Sequence, residues 1–116
     1  MKIVKDKISI AELNKTAQEM FGNFVKAVVD VEKKIMVIGG ELHSDEETIL
    51  IENGSKQQNL WGINLYPEIK DENWIEFDSM INLRPSQGNR TRGIDNPEIR
   101  KSIIEIVNSL VKKSSS

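Results

Sequence analysis

A chain of 116 residues, 38% hydrophobic with Val, Ile and Leu well spread and 29% charged with both signs mixed, is long enough to build one domain with its own core, and disorder is not expected. A formal charge of −2 supplies no global basic field, which argues against DNA binding and leaves RNA only a local patch to hold. The absence of cysteine excludes disulfides, thiolate-bound metals and a thiol nucleophile, and fits a reducing cytoplasm.

The opening Met-Lys-Ile-Val-Lys turns polar at once and no apolar run nears spanning length, so neither secretion nor membrane insertion is expected. Ile3 and Val4 read as a first short strand. Ser9 with Glu12 forms a capping box ahead of Ile10, Leu13, Ala17, Met20 and Phe21, which predicts a helix over 10–21 stopped by Gly22. The β-branched run Val25, Val28, Val29 and Val31 predicts a strand that turns at Glu32-Lys33-Lys34 and returns over Ile35 to Leu42, with a bulge or a close backbone approach at Gly39-Gly40.

Ser44 with Glu47 reads as a second capping box, backed by Asp45 and Glu46, for a short helix to about Glu52 that Asn53-Gly54 ends. A strand follows over Leu60 to Tyr66, closed by Pro67. Trp74 to Leu83 alternates, with Ile75, Phe77, Ile81 and Leu83 on one side and Glu76, Asp78, Asn82 and Arg84 on the other, and reads as a long strand with one wet face. Asn96 and Pro97 start a last helix whose apolar stripe is Ile99, Ile103, Ile106, Val107 and Leu110.

The order β-α-β-β-α-β-β-α has hairpins between consecutive strands and few crossovers, which predicts an α+β fold: a two-layer, mostly antiparallel sheet of four to five strands with three helices on one face. Residues 1–113 are expected to form one globular domain and the serines at 114–116 a disordered tail.

Two groups of polar residues are candidates for function. Alternation places Glu41 and His43, Asn64 and Tyr66, and Glu76, Asp78, Asn82 and Arg84 on the open face of the sheet, where Glu41, His43 and Asp78 could serve as general acid, base or ligands of a hard cation. An antiparallel sheet with one solvated face shows the same alternation for solubility alone, and the lone His43 rules out a two-histidine zinc motif. No metal site or particular cofactor is assigned.

The second group is the loop Arg84-Pro85-Ser86-Gln87-Gly88-Asn89-Arg90-Thr91-Arg92-Gly93. Arginine forks, glycines that bare the backbone and a following helix start suit a phosphate or another anion, with Arg84, Gln87, Asn89, Arg90 and Arg92 as the binding residues. The glycine spacing is that of a P-loop, but Ile94 and Asp95 stand where Lys and Ser or Thr belong, which excludes one. The same arginines could instead pair with Glu76, Asp78 or Glu41 and fasten the loop to the sheet. Trp61 alternates with Ile63 and Leu65 as a core residue, and no paired aromatics resemble an RNA-recognition sheet.

The runs Gly39-Gly40-Glu41-Leu42-His43 and Leu60-Trp61-Gly62-Ile63-Asn64-Leu65-Tyr66-Pro67, followed by Ile81-Asn82-Leu83-Arg84-Pro85 with Gln87-Gly88-Asn89-Arg90, together resemble the small prokaryotic family called domain of unknown function 5674. The likeness extends from the first helix to the last. It implies a stand-alone prokaryotic protein of this length and brings no substrate, cofactor or catalytic residue. The leading expectation is therefore a site for an anionic small molecule at the sheet edge, with catalysis open; the alternatives are a non-catalytic interaction module or homodimer, and RNA binding through the arginine loop.

Overall fold

In the computed structural model, which describes residues 1–113, the chain runs through Lys2–Val4 (β1), Ile8–Ser9 (β2), Ile10–Met20 (α1), Val25–Asp30 (β3), Ile35–Ile38 (β4), His43–Glu52 (α2), Leu60–Leu65 (β5), Ile75–Glu76 (β6), Pro97–Leu110 (α3) and Val111–Lys112 (β7). The tail expected at 114–116 lies outside the described residues. Strand order in the main sheet is β1-β4-β3-β5-β6 and every pairing is antiparallel, so the α+β class with three helices holds. A small parallel pair, β2 with β7, ties the start of α1 to the end of α3; two-residue strands carry no periodicity for a sequence reading to find.

Local chemistry sets the outer helices. Ser9 Oγ accepts the Glu12 N–H at 3.0 Å to start α1, and Asn96 Oδ1 accepts the Glu98 N–H at 2.9 Å behind Pro97 to start α3. Leu13 and Ala17 of α1 and Ile103, Ile106, Val107 and Leu110 of α3 then bury against one face of the sheet, formed by Val25, Ala27, Val29, Met36, Ile38, Trp61, Ile63 and Leu65. This continuous apolar layer is the larger core.

Only α1 and α3 keep to that face. Leu50 of α2 packs instead on Val28, Val37 and Leu60, the opposite side of the same strands, so part of the sheet is covered twice. The reason lies at the end of β4. Gly39 takes φ +86° and Gly40 comes so close to Glu46 that a Cβ there would lie 2.7 Å from Glu46 Cγ, which carries the chain over the sheet edge. The close approach expected at this pair is present, and it ends the strand at Ile38 rather than Leu42.

Helix α2 consequently starts at His43, one residue before the expected Ser44 cap, and Leu42 at its N-cap makes no side-chain bond. Glu46 reaches back instead, its Oε2 accepting the Gly40 N–H at 2.9 Å. Burial pushes this carboxyl up to about 9 against the pull of the Gly40 bond, of Lys26 and of the chain's amino terminus, so it carries its proton at neutral pH.

The long strand expected over Trp74 to Leu83 is also corrected. Pairing ends after Glu76, and Met80–Asn82 forms a 3-10 turn started by Ser79, whose Oγ accepts the Ile81 N–H at 3.2 Å. The alternation that suggested a strand arose from two unrelated contacts: Ile75 joins the larger core, while Ile81 packs beside Leu50 and Leu60 on the other face.

Candidate functional site

Because β6 reaches only Asn64 and Leu65, the Gly62 backbone further along β5 has no strand partner on that side, and a side chain supplies one. Asn82, fully buried, accepts the Gly62 N–H at 2.8 Å and donates to the Gly62 carbonyl at 2.9 Å and the Arg92 carbonyl at 3.0 Å. Gly62 is required here, since a Cβ would fall 2.6 Å from Ser79 Cβ and Oγ and 3.2 Å from His43 Cδ2. The chain leaving β6 arches over the sheet, and between it and the start of α2 a cleft of about 520 Å³ stays open.

Strand register brings Lys26, Asn64 and Glu76 side by side on the cleft floor. Asn64 is nine-tenths buried; its Nδ2 donates to Glu76 Oε1 at 2.8 Å and the Asp78 carbonyl at 3.3 Å, which fixes the amide orientation. Its Oδ1 has no donor among the described residues. Tyr66 also donates to Glu76 Oε1, at 3.1 Å, and its ring stacks on Phe24 at 5.4 Å, which stacks on Phe21 at 4.8 Å. The cleft thereby gains an aromatic wall. Burial and the neighbouring Glu76 raise the Tyr66 phenol, which keeps its proton.

His43, on the first turn of α2, reaches down with Nε2 2.8 Å from the Ile63 carbonyl. A carbonyl can only accept, so Nε2 holds the hydrogen and Nδ1 holds the lone pair. Burial lowers the imidazole below its ordinary range, with Lys26 adding to the shift and the Ile63 carbonyl, Asn64 and Asp78 opposing it; the ring is neutral at pH 7. Nδ1 has no partner among the described residues, which leaves the ring a base.

Arg92 closes the rim. Its Nε donates to Asp78 Oδ1 at 2.8 Å, while its terminal nitrogens have no partner among the described residues and the side chain is 58% exposed. On the floor, Lys26 donates to the Glu41 carbonyl at 2.9 Å and lies 5.0 Å from the centre of the Phe21 ring.

Of the residues singled out by sequence, His43, Asp78 and Arg92 share the cleft, together with Asn64, Tyr66 and Glu76 of the wet face. Glu41 contributes its carbonyl and keeps its side chain exposed outside. Arg84 is buried: it donates to the carbonyls of Ile81 at 2.8 Å and Gln57 at 3.0 Å and to that of Leu60, lies 3.4 Å from Glu47 of α2, and stacks over Trp61 at 4.7 Å. Burial pulls this guanidinium down and Glu47 raises it, and it stays charged.

Asn89 donates to the carbonyls of Asn82, Thr91 and Gly93 and accepts the Asp95 N–H at 2.7 Å. Gln87 points away to the Gln58 carbonyl at 3.4 Å, and Arg90 is exposed, with its backbone N–H on Asp95 at 2.9 Å. Asp95 is held low by its bonds from Thr91 and Arg90. Most of the arginine loop is thus occupied in holding itself and β5. Sequence reasoning missed Lys26 and Phe24; a lysine interrupting the run Val25 to Val29 was the signal for the first.

Among the described residues no helix is long and apolar enough to cross a membrane, and no group of three or more histidine, aspartate and glutamate side chains is placed to hold a metal ion. The architecture defines a small α+β protein with a polar, aromatic-walled cleft on the half of the sheet that α2 leaves bare. The family model described as protein of unknown function (DUF5674) matches residues 2–110, and the chain belongs to that family. No curated protein and no solved structure matches it.

Proposed function

We propose that the cleft binds a small molecule through an anionic group, with Arg92 and Lys26 as the cationic contacts and His43 as the base beside it. The observation that carries this reading is the setting of Arg92: Asp78 fixes the guanidinium through Nε, and the terminal nitrogens face out with no protein partner among the described residues. Lys26 stands on the cleft floor beside Asn64, and a volume of about 520 Å³ is in the range of small-molecule sites. His43 offers Nδ1 to a proton of the bound molecule, and Asp78 orients Arg92. Arg84 and Asn89 belong to the same proposal only as supports of the loop that carries Arg92.

Thermal shift and calorimetry with a panel of sugar phosphates, nucleotides and dicarboxylates test it. A raised melting temperature that Arg92→Ala abolishes is the expected result; a flat panel, or a hit indifferent to Arg92, overturns the anionic reading.

A second reading is favoured by Leu42 and Met80, which stand 54% and 61% exposed on the cleft rim: the same face docks a protein or a second copy of the chain. Sedimentation that shows only monomer across the working concentrations removes the homodimer version.

A further inference from the structure

The reading of the cleft as an anion site uses two of its charges and leaves two. Lys26 and Arg92 line it, but so do Glu76 and Asp78, and with His43 neutral the four cancel. A ligand carrying only negative charge would meet two carboxylates within the same space, and a purely cationic one would meet Lys26 and Arg92. Opposite charges on one molecule satisfy all four.

The placement of the charges is as informative as their sum. Asp78 and Arg92 form an exposed ion pair with 2.8 Å between Oδ1 and Nε, and the other polar side-chain atoms of each partner have no bond among the described residues. The ammonium nitrogen of an α-amino acid is one bond and its carboxylate oxygens two bonds from the same carbon, which sets them about 3 Å apart. Such a molecule can lie antiparallel along the pair, carboxylate on the Arg92 fork and ammonium on the outer Asp78 oxygen.

Glu76 lines the same cleft as Asp78. One of its oxygens is taken by Asn64 and Tyr66 and the other has no bond among the described residues. Asn64 Oδ1, nine-tenths buried on the floor with its amide orientation fixed, has no donor, and His43 presents a lone pair at Nδ1. Glu76, Asn64 and His43 thus present unmatched acceptors, which call for N–H groups on the ligand. Phe24 and Tyr66 provide the flat apolar wall against which a side chain would rest.

We infer that the cleft takes a zwitterion of the α-amino-acid class with an apolar or aromatic side chain: its carboxylate on Arg92 and Lys26, its ammonium on Glu76 and Asp78, and its side chain on the Phe24–Tyr66 wall. This rests on the anion reading above and adds a required positive nitrogen.

Calorimetry on the full chain with L-phenylalanine, phenethylamine and N-acetyl-L-phenylalanine separates the two. L-Phenylalanine is expected to bind at millimolar concentration or below, and each truncated analogue at least about tenfold more weakly, since either loses one charge-assisted contact. Glu76→Gln keeps an acceptor for Asn64 and Tyr66; it should weaken L-phenylalanine while leaving N-acetyl-L-phenylalanine unchanged, whereas Arg92→Gln should weaken both. If N-acetyl-L-phenylalanine binds as tightly as L-phenylalanine and both depend on Arg92, the zwitterion inference falls and the anion reading stands. If L-phenylalanine does not bind, the inference falls outright, and the phosphate and dicarboxylate panel alone decides the anion reading.

Discussion

The two faces of the sheet are built from the same strands and differ in where apolar residues stop. On the α1 and α3 side, Val25, Ala27, Val29, Trp61, Ile63 and Leu65 run apolar to the strand ends, and helices cover them throughout. On the α2 side, Val28, Val37 and Leu60 are covered by Leu50, but the rows then turn to Lys26, Asn64 and Glu76 and the helix does not extend over them. A cleft results from a cover that ends where there is nothing apolar left to bury. Its boundary is held by buried polar clasps, Asn82 on Gly62 and Arg84 on the carbonyls of Leu60, Ile81 and Gln57.

If those clasps are structural and the rim functional, substitutions should separate the two. The largest loss is expected from Arg84→Ala, which orphans buried carbonyls and Glu47 together; about 3 kcal/mol of stability should disappear in denaturant unfolding. Gly62→Ala forces a methyl group onto Ser79 and His43 and should cost about 2 kcal/mol by the same measurement, with any ligand response of the cleft altered as its floor shifts.

Glu46→Gln tests the apolar half of that face. The carboxyl is raised from 4.5 to about 9 in the folded chain, so the folded state holds the proton more tightly than the unfolded one. The stability this confers is full below pH 4.5 and is lost progressively as pH rises towards 9, on the order of a few kcal/mol across that window. The wild-type melting temperature should fall with that slope, and the Gln variant should lack the Glu46 share of it; equal slopes would refute the buried, protonated carboxyl.

His43 runs the other way. Its lowered value means protonation opposes folding, with stability present above 6.5 and lost as pH falls through the folded value. NMR titration of the imidazole should give a midpoint below 6.5. The smallest effect is reserved for Arg92→Ala, an exposed pair worth less than about 1 kcal/mol. A large loss of stability there would make the rim as structural as the clasps and erase the distinction.

Much of the frame was readable from local signals. Ser9 and Asn96 are caps whose partners lie two or three residues away, and the β3–β4 hairpin follows from β-branched runs around Glu32-Lys33-Lys34. Alternation also grouped Asn64, Tyr66 and Glu76, which line one cleft. It failed at 77–83, where the same period of two is satisfied by a 3-10 turn and by contacts to two different cores.

Roles within the arginine loop were not readable at all. Arg84 and Arg92 are the same residue type eight positions apart, yet one is buried on three carbonyls and the other stands at the cleft mouth. What distinguishes them is the unpaired stretch of β5 left by a short β6, a fact of pairing between distant strands.

The sequence by itself determined the helix starts, the antiparallel hairpin, the apolar face of α3 and the family, because capping, turn chemistry and periodicity act over a few residues. Only the tertiary structure decided that α2 crosses to the second face, that Asn82 stands in for a strand, and that Lys26 meets Glu76 across Asn64. Those depend on which strands become neighbours and on where a backbone can approach a side chain, and no local spacing encodes either.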